Sequence, residues 1–398
     1  MKLSELQNAV KSAAAFRCRM KIQPAGGEGD KVFPPTYLGA KYAKEDRLVS
    51  VKNSEGKEEL QRVPCVLLDS VQSQANRMEE ALQEAVDAGR IKLPVIEVDF
   101  SKTELIDPIG KVTSLQAPHR IADAILRDSE LEGVAWRKSE VGKQIDAVSN
   151  QNATPLFELC PTALVFGVWD STGPRGGLGA KFARALVSEI VGFNAAFGVK
   201  TGSRIDPLEI RAAAQIFIEK DGSWRVAKEK EKKTVSPSEK NHGNIPPTID
   251  DNAGGVTISH AEQMTVISLP AFRRLRFPVD GKFKPEYDQA ARTVLLALGL
   301  TATALATEAG LDLRSRCILW PTDAPNWELL GKPGTESSKF QLDADSAIKL
   351  YEEAVAEAQK VGLPYRTEPI VLSPSKALTE LLQRSQEIAA QTESSEAE

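Results

Sequence analysis

The segment VFGVWDSTGPRGGLGAKFARAL, residues 165–186, constrains the fold of this chain and its use more than any other. Its apolar start, Val165 to Trp169, reads as a buried strand, since β-branched and aromatic residues suit a covered, pleated surface. Glycines at 173, 176, 177 and 179 then open a loop whose backbone N–H groups can turn outward toward a ligand. The spacing predicts a helix after the loop, carrying Lys181 and Arg184. Its N-terminal dipole would add to the charges of Arg175, Lys181 and Arg184. Such a cradle suits an anion, phosphate above all. Two familiar phosphate motifs do not fit. Phe182 follows Lys181 where a Walker loop needs Ser or Thr, and it also stands where the third glycine of a dinucleotide fingerprint would fall after Gly177 and Gly179. A plain strand-to-helix turn with incidental charges is the simpler alternative, so the cradle alone names no ligand.

Charge decides what kind of anion site is possible. The chain has 398 residues, 41% hydrophobic and 26% charged, which is the composition of a soluble globular protein. Its net charge of −5 excludes a general basic coat, so a polyanion would need a local groove. Cys18, Cys65, Cys160 and Cys317 stand too far apart for a zinc or disulfide framework and are expected to be buried free thiols. With histidines only at 119, 242 and 260, and no G-x-S-x-G or H-E-x-x-H, no metal, cofactor or catalytic residue is expected. The N-terminal MKLSELQNAVKSAAAF lacks a signal-like apolar run, and the uncharged stretch Thr293–Thr307 is too short to span a bilayer. A cytoplasmic protein without a membrane partner is expected.

Periodicity predicts a helix over 1–14, an alternating strand over 16–22 with Arg17, Arg19 and Lys21 on its polar face, and a loop-rich stretch over 23–62. Strand VPCVLL leads to Asp69 and Ser70, a helix cap. Helix 71–88 follows, with Val71, Ala75, Met78, Leu82 and Val86 on one face. Further elements are a strand at 95–100, a helix at 119–128, and a hairpin turning at Asp221-Gly222. Residues 227–255 read as an exposed, mobile insertion. Strand 265–269, helix 286–309, strand 313–320, helix 343–361, strand 369–372 and helix 375–390 complete the pattern, with the last eight residues a disordered acidic tail. This mixture of hairpins and alternating helices favours an α+β fold of the split βαβ, ferredoxin-like kind.

Several polar groups could line a groove. Ser70, Ser73 and Arg77 project from one flank of helix 71–88, and Gln72 and Asn76 from the other. Short hydroxyls and amides with an arginine one turn on suit a sugar-phosphate chain, although capping and a solvated surface explain them too. His119 and Arg120 follow Pro118 at a helix start; Arg137, Lys138 and Lys143 surround Trp136; Lys200, Ser203 and Arg204 sit in another glycine-containing turn. The recurrence of such clusters on an acidic background points to nucleic acid. FRRLRF (272–277) is a further basic patch that could instead cap a sheet edge.

The ordered motifs LLDSVQSQANRMEEAL, APHRIADAILRDS, WRKSEVGK and STGPRGGLGAKFARAL, within residues 30–320, resemble one family. It is the guide-RNA-binding backbone subunit of the type I-G (formerly I-U) CRISPR effector complex, of the RAMP superfamily. The resemblance implies an RRM-like palm with an inserted thumb over residues 1–375, followed by a C-terminal helix and acidic tail over 376–398. It implies several copies stacked as a helical oligomer along one guide RNA, pairing with target DNA, other subunits of the effector complex, and no cutting by this subunit. On this sequence, Ser171, Thr172, Arg175, Gly177 and Lys181 would contact guide phosphates. Ser70, Gln72, Ser73, Asn76 and Arg77 would line the same groove, with His119, Arg120 and Arg137 nearby. The thumb is either 101–116, which keeps apolar residues able to wedge between bases, or 227–255; the first is favoured. The superfamily also contains ribonucleases, so RNA cleavage using His119, Asp69 or Asp170 is the alternative. A nucleotide-binding enzyme built on the glycine loop is a third reading.

Overall fold

A computed structural model describes residues 1–53, 55–171, 181–251 and 253–397. In chain order, its principal elements are α1 (Leu3–Ser12), β1 (Ala15–Pro24), β2 (Lys44–Lys52), β3 (Glu58–Asp69), α2 (Val71–Asp87), β4 (Leu186–Phe193), β5 (Lys200–Arg204), β6 (Ile245–Asp250), β7 (His260–Ser268), α3 (Pro285–Glu308), β8 (Ile318–Pro321), β9 (Trp327–Leu330), α4 (Ala344–Lys360) and α5 (Lys376–Ala397).

Alternation along β1 sets the architecture. Phe16, Cys18, Met20 and Ile22 are buried while Arg17, Arg19 and Lys21 point the other way, so only one face of this strand meets a core. The central sheet runs β8–β1–β7–β4–β3–β2, every neighbouring pair antiparallel. With α2 between β1 and β4, and α3 between β7 and β8, its inner strands repeat the ferredoxin-like βαββαβ order. The α+β class expected from the sequence is the one observed. β9 pairs with the first half of β1, sharing that edge with β8.

Both helices cover the same face. Ala75, Met78 and Leu82 of α2 pack with Val294, Leu295 and Leu298 of α3 in the main core. α3 has a window of mean hydropathy 1.5, but 72% of that window is buried inside the molecule, where it forms the centre of the core. A second sheet beside the palm gathers Ile96–Asp99, Lys111–Thr113 and Ser129–Leu131, and Ile370–Pro374 returns from the C-terminal region to join it.

Several expectations change. Residues 44–52 and 58–62, within the stretch read as loop-rich, are strand instead: they form most of the long β2–β3 hairpin at the sheet edge, which the expected strand VPCVLL completes. The helix expected at 119–128 is two short turns, Arg120–Ala122 and Ala124–Arg127. Residues 227–255 are not a loose insertion. Ile245–Asp250 pairs with Lys200–Arg204, so β4 and β7 continue outward as a two-stranded arm. At its base Gly198 N–H donates to the Gly255 carbonyl at 2.9 Å, and a Cβ on Gly254 would lie 2.1 Å from the Gly198 carbonyl oxygen. Only glycine permits that approach. The segment 101–110 projects less: Gln383 and Gln386 of α5 hold its backbone at Glu104 and Asp107. α5 itself runs through the acidic residues to Ala397 in place of a disordered tail. All four cysteines are free and buried.

Candidate nucleic-acid interface

The segment that opened the sequence folds differently from its expected form. Val165 and Phe166 end a short helix, Thr162–Phe166, and only Val168–Trp169 is extended. No helix carries Lys181 and Arg184. Lys181–Phe182 is a strand paired with Val168–Trp169, and the chain then enters β4. A helix dipole therefore contributes nothing at Lys181; the cations act through their own charge. Thr172, Arg175 and Gly177 lie outside the described residues.

Around this hairpin the structure gathers residues from distant parts of the sequence. Glu79 of α2 is 2% exposed and takes a bidentate hydrogen bond from Arg120, both contacts at 2.6 Å. Arg120, 6% exposed, also donates to the Gly167 carbonyl at 3.0 Å and lies over the Phe166 ring. Gly167 in turn packs on Arg184: a Cβ there, at a φ of +84°, would lie 2.9 Å from the Arg184 Cγ. Arg184 is half-buried, and no acceptor meets its guanidinium among the described residues. Burial and the nearby Arg120 hold it below the ordinary arginine range, opposed by Glu79. Burial pushes the Glu79 carboxyl up to about 7 even though Arg120 and Arg184 pull it down. Two guanidinium groups thus share one buried carboxylate, leaving an excess positive charge at the surface.

Exposed polar groups sit on the adjoining elements. Gln72 and Asn76 are exposed on α2, Ser73 half-exposed, and Ser70 caps the helix by accepting from the Ser73 N–H at 3.2 Å. His119 is exposed beside Arg120, and its backbone N–H donates to Asp123. Ser171 and Lys181 are exposed on the hairpin. Trp169, read from the sequence as buried, is 52% exposed with Lys181 Nζ 5.3 Å from its ring. An open indole beside a lysine is chemically suited to stacking a ring next to a positive charge. No signal in the sequence marks this exposure, because Val165–Trp169 is an unbroken apolar run.

Other candidate residues are engaged within the protein. Arg77 donates to Asp69 at 3.0 Å and to the Leu313 carbonyl at 2.6 Å, tying α2 to the strand before β8. Asp69 is buried and also accepts from Gln74. Arg137 bridges Asp146 and Asp170, which anchors the hairpin from below. Arg273 donates to the Ala13 carbonyl, and Arg276 pairs with Asp288, so the FRRLRF patch ties α1 to α3. Lys143 is exposed on the short helix Glu140–Asp146, next to the Arg137 anchor.

The basic clusters do not all converge. Lys200 and Ser203 lie exposed on the arm, where Arg204 donates to the Gly243 carbonyl. Arg17, Arg19 and Lys21 occupy the sheet face opposite α2. There Arg17 meets Glu328 at 2.6 Å and Arg47 meets Glu189 at 2.8 Å, across a charge-balanced face.

The flank of α2 that carries Gln72 and Asn76, together with the Trp169–Lys181 pair, can hold a polyanion, gripping its backbone and stacking one of its rings, whereas Ser70 and Ser73 lie with Arg77 on the opposite flank. No curated protein matches the chain. Residues 16–197, from β1 to the base of the arm, match the family described as CRISPR-associated protein GSU0053, and this similarity supports a role in a CRISPR system.

Proposed function

We propose that this chain is a non-catalytic backbone subunit of a type I CRISPR effector complex, of the I-G kind, that binds guide RNA along the α2 flank. The carrying observation is the excess positive charge at Arg184, set between the exposed amides of α2 and the Trp169–Lys181 hairpin. Gln72 and Asn76 of that flank, with His119, Ser171, Lys181 and Arg184, contact the sugar-phosphate chain, and Trp169 stacks a base. Gripping the backbone without reading bases suits a carrier of arbitrary guide sequences. The β5–β6 arm is the better thumb, since it extends from the sheet and exposes Ile205, Leu208 and Ile249, whereas residues 101–110 lie against α5. Copies associate head to tail along the guide in the cytoplasm, a heterologous contact that does not close. The guide then pairs with target DNA.

Fluorescence anisotropy with labelled single-stranded RNA tests this. Affinity should rise with RNA length and fall steeply with salt, by about one log unit per log unit of salt for each phosphate contact. Cleavage of guide or complementary RNA, abolished by substituting His119, Asp69 or Asp170, would establish the ribonuclease alternative instead.

A further inference from the structure

Glu79 has no obvious place in an RNA site, because it is a carboxylate beneath a surface meant for phosphates. Its surroundings give it one. Arg120 reaches it bidentately while holding the Gly167 carbonyl, and Arg120 adopts a left-handed backbone, φ +53°, uncommon outside glycine. Gly167 carries the chain into the Trp169 hairpin and packs directly on Arg184. The carboxylate therefore pairs with one cation that positions the hairpin and feels the charge of a second, Arg184, whose guanidinium has no partner among the described residues.

We propose that Glu79 is a positioning residue that tunes the Arg184 phosphate subsite, so that binding a phosphate at Arg184 is coupled to protonation of Glu79. The inference rests on the RNA-binding reading above. A free Arg184 helps keep Glu79 ionised; a phosphate arriving there cancels that help and adds its own repulsion, so the carboxyl gains a proton. The proton comes from solvent and stays on the Glu79 carboxyl, and no bond to phosphorus changes. The groups facing Glu79 are Arg120 from the turn after Pro118, Arg184 from the stretch before β4, and the buried Cys160 thiol. The carboxyl, pushed up to about 7, is poised for such uptake near neutral pH. Because the bound state holds more protons, affinity must fall as pH rises.

The test uses the full chain and a labelled single-stranded RNA of about 20 nucleotides, the length over which a guide pairs with its target, titrated from pH 6.5 to 8.5 at constant ionic strength. The wild type should weaken by about three- to tenfold per pH unit, approaching one proton per binding event. Glu79→Gln should remove the dependence and bind at pH 8 at least as tightly as the wild type. Arg184→Gln should weaken binding and remove it too, while His119→Gln should keep it. Thermal melts of each variant separate loss of binding from loss of fold. A dependence that persists in Glu79→Gln, or vanishes in His119→Gln, overturns the inference while leaving RNA binding intact. Absence of RNA binding at every pH overturns the underlying reading instead.

Discussion

Arg120 and Arg184 are both arginines in basic motifs, yet their surroundings give them opposite work. Arg120 spends its donors on Glu79 and the Gly167 carbonyl, out of reach of solvent. Arg120→Ala would leave Glu79 buried and unpaired, so it should destabilise the protein by about 3–5 kcal/mol in urea unfolding. Arg184 is half-exposed, and its guanidinium makes no hydrogen bond or ion pair among the described residues. Arg184→Gln should leave stability within about 0.5 kcal/mol and weaken RNA binding by about 1.5–3 kcal/mol, the range for a charged hydrogen bond. Nothing in the sequence separates these two residues. Whether an arginine faces solvent or a buried carboxylate depends on contacts across 41 residues for Arg120, and sequence spacing carries no such information.

Elements with their own periodicity were legible, and those defined by a partner were not. The apolar face of α2 and its Ser70 cap follow from local pattern. So does the alternation of β1. Lys181–Phe182 was misread because a strand of two residues shows no period; Val168 and Trp169 alone make it a strand. The arm was misread for a related reason. Its Pro-rich, charged composition resembles a loop, and only pairing of β5 with β6 extends it. That pairing closes on the Gly198–Gly254 contact, so the arm is separable from the palm. Joining Gly198 to Gly254 directly, without residues 199–253, should leave the melting temperature within about 4 °C and preserve RNA binding, because Lys181 and Arg184 lie outside the arm. A collapse of the fold on excision would show that the arm supports the palm.

Over the whole molecule, burial controls chemistry far from any site. Desolvation pushes the Cys18 thiol up to about 12 and Cys317 to about 11, and Cys65 and Cys160 also rise. None of the four should react with Ellman's reagent at pH 7.5 until the chain unfolds, when all four should. Rapid reaction of the folded protein would contradict this packing. Glu79 gives stability a pH dependence as well. Its carboxyl, ordinarily at 4.5 and pushed to about 7, binds a proton in the folded state that the unfolded state has released. That contribution is complete below 4.5 and is lost as pH rises through about 7, with a slope of at most about 1.4 kcal/mol per pH unit. Urea midpoints measured from pH 5 to pH 8 should fall in the wild type and flatten in Glu79→Gln.

The most direct test of the account is the binding of single-stranded RNA to the full chain across RNA length and salt concentration. It predicts binding that tightens with length, weakens steeply with salt, and drops in Lys181→Glu and Arg184→Gln while the fold persists. An affinity independent of salt, or indifferent to both substitutions, would contradict it.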